Sequence, residues 1–380
     1  MRALQLLCRH LGVVVVVAAH LRLTAAAPAQ FQWWYPQFGD IFTEIVNSNC
    51  SSQYAAYLAG DSIPSDDITL SAIAASDVLV EPVVNCILQY TSNFVQTNMQ
   101  SAGVLLGIMP SVLSVLGSST EETALLFVIA RRPLLTLLLA AGSPVVVALR
   151  PFEYREPVGI LREREVRFQS LGFFVGRRAL VLVIEYLLVI VAVANVAHIS
   201  YQLGMGVIIV FSPHSTFLPA LWAVSGVLVH IIGAVCLRSR LAVTAREETT
   251  TAAWSRELLK SEFTLSRRKS ILATTRPENK RFLVLSWFTS MTSTFHVVFG
   301  TLTFSSMLFI SVRDSFGVIG RYIGSVAVCR IILMYELSGL RETVQGDFDA
   351  ELPAVTRLAL PGLQEAKTMS LPEPQETKAI

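Results

Sequence analysis

The stretch RRALVLVIEYLLVIVAVANVAH, residues 177–198, restricts the fold more than any other part of this chain. Residues 179–197 carry a single charge, Glu185, among apolar side chains. At 1.5 Å per residue a helix of that length covers about 28 Å, close to the thickness of a bilayer's hydrocarbon core. Core helices of water-soluble domains have no use for so long an unbroken run. Further apolar runs fall at 101–117, 124–149, 216–237, 282–312 and 316–336. Composition agrees: of 380 residues, 53% are hydrophobic and only 15% charged, where a soluble domain carries about 25% charge. The expected fold class is all-α, a multi-pass transmembrane helix bundle.

Topology follows from the placement of positive charge. Residues 150–178 hold seven Arg against four Glu, and residues 238–281 hold eleven Lys or Arg against five Glu. Such loops stay in the cytosol and meet its anionic lipids. The link 198–215 has no Lys, Arg, Asp or Glu and belongs on the other side. The first thirty residues carry Arg2 and Arg9 around an apolar run and then AAAPA, which reads as a signal peptide, 1–29. His20 and Arg22 interrupt that run, so an uncleaved anchor is the alternative reading. Residues 30–100 then form a small lumenal or extracellular domain, opening on FQWWYPQF.

With that domain outside, an odd number of crossings must lie between 100 and 150. Pro110 interrupts 101–117, so that run is expected to be re-entrant, with 124–149 supplying the first crossing. The count is five spans plus a re-entrant segment: two hairpins, 179–237 and 282–336, follow the first, and a disordered cytosolic tail, 337–380, ends the chain. Six spans is the alternative.

Cysteines sharpen the picture of the outer domain. Cys8 leaves with the signal peptide, and Cys236 and Cys329 lie in apolar runs. Cys50 and Cys86 remain as one pair in an oxidising compartment, which predicts a disulfide. Asn49-Cys50-Ser51 fits the N-glycosylation pattern at Asn49. In the second basic loop SRRKS places Arg267 and Arg268 before Ser270, a spacing suited to a basic-directed kinase. A phosphate on Ser270 would loosen the loop from anionic lipid.

The stretches GSSTEET, RRPLL, GSP and FEYREP, within 117–157 and following a domain with two cysteines, resemble an uncharacterised family of multi-pass membrane proteins of filamentous fungi. The resemblance covers about residues 45–340; it implies a membrane location and carries no activity.

Candidate chemistry lies in the ionisable groups of the spans. Counted from the basic-loop ends, Glu185 and Arg330 lie about 9 Å deep and His230 about 10 Å deep. Ionised groups at such depth need partners. The reading is a Glu185–Arg330 ion pair with His230 hydrogen-bonded beside it, as a structural clamp or as a relay or gate. Ala223, Gly226 and Gly233 share the face of His230, and Ser286, Thr289, Ser293, His296, Gly300 and Thr303 form a polar stripe on the fourth apolar span. Arg131 and Arg132 read as anchors snorkelling to the interface, or as caps of the re-entrant hairpin paired with Glu121 and Glu122; Arg321 reads as another anchor.

No phosphate loop, HExxH, CxxC or GxSxG occurs. No enzyme, cofactor, metal or nucleic-acid partner is therefore expected. The expected function is that of a non-catalytic sensor or scaffold in the plasma membrane or another secretory-pathway membrane; the alternative is a transporter or channel, proton-linked, with a polar pathway that a homo-oligomer would complete.

Overall fold

The computed structural model describes residues 30–59, 77–147, 178–244, 261–265, 272–275 and 277–359. The signal peptide, most of the first basic loop and Ser270 lie outside these residues. Ten helices are described: α1 Gly39–Ser48, α2 Ser51–Ala59, α3 Asp77–Tyr90, α4 Asn93–Leu116, α5 Thr120–Val128, α6 Pro133–Gly142, α7 Arg178–Gly206, α8 Leu218–Arg240, α9 Lys280–Ser305 and α10 Val312–Ala359. Four short strands accompany them. β1 (Ile208–Ile209) pairs antiparallel with β4 (Met307–Leu308), and β2 (Leu241–Thr244) with β3 (Leu272–Thr275).

Among the described residues five helices are long and apolar enough to cross a membrane: Asn93–Leu116, Ala179–Gly206, Leu218–Arg240, Lys280–Ser305 and Val312–Arg341. The chain is thus a multi-pass membrane protein in a lipid bilayer. Lipid-facing side chains mark α7, where Val183, Leu187, Ile190 and Val191 are all more than half exposed. With no water to bond, each such segment must satisfy its own backbone, which is why helices form here.

The expected roles within 101–149 are reversed. Residues 101–117 belong to a 24-residue helix that begins at Asn93, inside the small domain, and runs through Pro110. One proline removes one backbone hydrogen bond, and the neighbouring helices hold the rest of the ladder in place. Residues 124–149 are instead broken into α5 and α6 by Arg131, which sits at φ 51°, and by Pro133 at the first position of α6. The tail also departs from expectation. α10 continues to Ala359 rather than ending at 336, with Leu337 and Leu340 buried against α5 and α6.

Helices α1–α3 and the aromatic segment before them make the small domain. Phe42, Val83 and Ile87 fill its core, and a Cys50–Cys86 disulfide joins the start of α2 to α3. Ile208 and Phe309, from the links between spans, complete that same core. The domain therefore sits on the end of the bundle that carries residues 207–217 and 306–311, here the domain end. The β2–β3 ribbon lies at the opposite, basic end.

The bundle packs through close backbone approaches. A Cβ on Gly107 of α4 would lie 2.7 Å from the Ser305 Cβ of α9, and one on Gly226 of α8 would lie 2.7 Å from the Pro144 carbonyl oxygen. Only glycine admits these contacts.

Candidate functional site

Helix α4 descends from the domain end, where the Asn98 carboxamide accepts from the Val312 backbone, and stops at Gly117. Its stopping level is set by its neighbours. Just beyond it, Thr120 abuts Gly233 and the Thr123 hydroxyl lies 2.9 Å from His230 Nδ1. His230 is twelve residues from the start of α8 and ten from its end, so about 18 Å and 15 Å from the two ends. The break is therefore near mid-depth. Helix α5 carries on towards the basic end, the chain turns at 129–132, and α6 climbs back. At the top of α6, Ser118 and Val146 form a parallel backbone bridge. The C-termini of α4 and α6 and the N-terminus of α5 thus meet at one level inside the spans.

Local sequence explains the break. Ser119 accepts from the Glu122 backbone while the Glu122 carboxylate accepts from the Ser119 backbone, a capping box that starts α5. Glu122 also takes the guanidinium of Arg330 from α10. A carboxylate is favoured at the positive N-terminal end of a helix, and here the Arg330 guanidinium adds a full positive charge.

Two buried histidines border the break. His296 Nε2 lies 2.9 Å from the Pro144 carbonyl and its Nδ1 2.8 Å from the Ser225 hydroxyl. Because a carbonyl only accepts, Nε2 carries a proton. The Ser225 hydroxyl also lies 2.7 Å from the Trp222 carbonyl. In the neutral ring Ser225 donates to Nδ1; in the cation Nδ1 donates to Ser225, which turns its own proton to Trp222. His230 repeats the hydroxyl side of this arrangement: Thr123 faces its Nδ1 and lies 3.1 Å from the Thr120 carbonyl. Each imidazole can take up a proton without losing a partner. Through the Pro144 carbonyl His296 also holds the loop at 143–146.

Three polar atoms around this layer are buried without a partner: Ser143 Oγ, Trp222 Nε1 and Thr303 Oγ1. The Trp222 ring stacks on His296 at 5.3 Å, and Thr303 lies on the same face of α9 as His296 and Gly300. Thr289, Ser293, His296 and Thr303 are all buried, so the polar stripe of α9 faces the bundle. Buried donors and acceptors without partners cost about 1–3 kcal/mol each, and they line the seam between α8, α9 and the loop at 143–146.

A second polar layer lies nearer the basic end. Arg132, wholly buried, sits with Nη1 2.7 Å from Glu336 and Nη2 3.3 Å from Glu185. The Glu262 carboxylate caps the start of α6, accepting from the backbones of Leu134 and Leu135 at 3.2 and 2.9 Å and from the Tyr186 hydroxyl at 2.6 Å. Ser261 donates to the Arg131 carbonyl at 2.7 Å. This layer joins the turn between α5 and α6 to α7, α10 and the second basic loop.

The expected Glu185–His230–Arg330 triad is thus corrected. Glu185 pairs with Arg132, Arg330 with Glu122, and His230 with Thr123. Arg132 is no interface anchor, because α6 begins in the interior and carries it there. Glu185 and Arg330 belong to different layers, since Arg330 lies about 9 Å from Glu336 along α10. His230, His296 and Arg330 do share the break layer. Glu336, Glu262 and Trp222 were missed, and Arg132 and Glu122, read as an anchor or cap and its partner, instead pair with Glu336 and Glu185 and with Arg330. One signal for them was present: S-x-x-E at 119–122 marks a helix start inside an apolar region.

No protein-family model, curated protein or solved structure matches this chain.

Proposed function

We propose that the protein is a membrane carrier or channel with a polar, proton-linked pathway between its spans, seated at the mid-depth break. The observation that carries this reading is the meeting of three helix ends at one level beside two histidines that keep their hydrogen bonds in either protonation state. Interrupted helices at bilayer depth are tolerated where they are buried in protein or line a wet cavity, and in carriers they hold the substrate. Protons on His230 or His296 would pass to water or solute held against the buried Ser143, Trp222 and Thr303 polar atoms. A homo-oligomer would supply further helices.

Cysteine accessibility tests the reading directly. Ser143→Cys and Thr303→Cys, each in a Cys236→Ala/Cys329→Ala background, are treated in proteoliposomes with a membrane-impermeant thiol reagent added to either side. Labelling of both positions is the expected result. A folded protein that reacts at neither from either side has a dry, sealed seam, and the pathway reading fails.

A second reading, a non-catalytic sensor or scaffold, draws support from the small domain. Its core is closed by Ile208 and Phe309 of the bundle, so a ligand that shifted the domain would press on α7, α9 and α10. In both readings the domain faces the lumen or exterior after removal of a signal peptide, and the exposed Asn49 carries a glycan. The basic loops lie on anionic lipid of the plasma membrane or another secretory-pathway membrane.

A further inference from the structure

A separate polar cluster lies on the lipid-facing seam of α7 and α10, and it is independent of the pathway reading. Arg321 donates through Nε to Asn195 Oδ1 at 3.0 Å and through Nη1 to Gln202 Oε1 at 2.7 Å, while its Nη2 lies 2.8 Å from His198 Nδ1. Asn195 in turn donates to the Arg321 carbonyl and to Ser325. An arginine always donates, so His198 Nδ1 accepts and its ring proton sits on Nε2, on an exposed side chain.

These partners fix the guanidinium, yet all are neutral. Among the described residues no carboxylate contacts Arg321. The nearest acid along α10, Asp314, is about 10 Å away by helical rise and is engaged by Ser311 and the Gln37 backbone. The cluster therefore holds a net positive charge, with donor hydrogens left on both terminal nitrogens of Arg321.

Depth and shape narrow what can answer that charge. The apolar part of α10, Val312–Arg341, is about 45 Å long against a hydrocarbon core of about 30 Å, which leaves Arg321 about 6 Å below the headgroup boundary at the domain end. That is within reach of a lipid phosphate for an arginine side chain. Beside it, Gly317, Gly320 and Gly324 present open backbone, because a Cβ at any of them would meet nothing within 4 Å. The result is a shallow trough along α10 with a cation on its edge.

We propose that Arg321 and His198 hold the phosphate of an anionic phospholipid of the domain-end leaflet, one acyl chain of which lies in the trough over Gly317, Gly320 and Gly324. Guanidinium and imidazole N–H groups bind phosphate with charge-assisted hydrogen bonds. A choline headgroup would bring its own cation towards an unneutralised one, so a net anionic lipid is preferred.

Native mass spectrometry of the full chain, titrated with phosphatidylglycerol, phosphatidylcholine or inorganic phosphate, tests this. One retained phosphatidylglycerol per chain is expected, with about tenfold weaker retention in Arg321→Gln. Gly320→Leu/Gly324→Leu fills the trough, leaves Arg321 untouched and should lose the lipid to a similar extent, with unchanged melting in pure phosphatidylcholine. That pair decides the matter should Arg321→Gln fail to fold. Equal retention of phosphatidylglycerol in the wild type and the glycine pair would overturn the proposal. So would competition by inorganic phosphate at equal concentration, which marks a bare anion site. A change from dimer to monomer in the glycine pair would overturn it too, because the trough would then seat a second helix.

Discussion

At the scale of single residues the most consequential group is Arg132. Its guanidinium is wholly buried and faces Glu336 at 2.7 Å and Glu185 at 3.3 Å, with the Tyr186 ring 5.8 Å beneath it. Removing one partner of a buried ion pair strands the other, and such changes cost about 3–5 kcal/mol. Arg132→Leu strands two carboxylates, so it should fall at the upper end of that range. Glu185→Gln leaves the shorter contact to Glu336 in place and should cost only about 1–2 kcal/mol. Thermal unfolding in detergent should rank the two in that order; equal losses would mean that Glu185 dominates the cluster. That Glu185 needs a partner is legible from its position in an apolar run. Which partner it takes is not, because Arg131 and Arg132 lie more than fifty residues away in a segment whose hydropathy does not reveal that it turns back.

At the scale of elements, a count of five crossings was legible from run lengths taken together with the placement of the basic loops, since bilayer thickness fixes how many apolar residues a crossing needs and positive loops fix its side. Which runs they are was not legible between 93 and 149. Hydropathy scores α4 and the α5–α6 pair alike as apolar, and their difference lies in turn chemistry: a capping box at Ser119–Glu122 and a positive-φ residue at Arg131. The break also depends on a tertiary contact that no local signal encodes. Gly226 lets α8 come against the Pro144 carbonyl, and a Cβ there would stand 2.7 Å from that oxygen, a backbone atom with no rotamer to escape by. Gly226→Leu should therefore push the 143–146 loop away, break the His296–Pro144 contact and cost about 3 kcal/mol or more. The check is a lowered melting temperature together with changed thiol labelling at Ser143→Cys. A stable variant with unchanged labelling would show that α8 slides rather than that the loop moves.

At the scale of the whole molecule the small domain and the bundle share one core. Phe309, 1% exposed, lies between the spans, yet its ring sits 5.2 Å from Phe42 and 5.4 Å from Trp34 of the domain. Gln30 donates to the Pro213 carbonyl at 2.6 Å, and the β1–β4 ladder closes the same surface. The Cys50–Cys86 pair was readable from cysteine arithmetic, but the sharing of Ile208 and Phe309 was not, because nothing in the short links 207–217 and 306–311 announces partners so far back in the chain. A disulfide closing a loop of 36 residues contributes about 4 kcal/mol in the chain-entropy model. Cys50→Ser/Cys86→Ser should lower the stability of the domain by that order. Because the core is common, the loosening should not stop at residue 90. Amide hydrogen exchange in lipid nanodiscs should speed up in α1–α3 and, together with them, at Ile208–Ile209 and Met307–Leu308. The spans at the basic end, held by Arg132 and Glu262, should keep their protection. Exchange that rises only within α1–α3 would mean that the domain opens as a separate unit, and the route by which a ligand on it could act on the bundle would be lost.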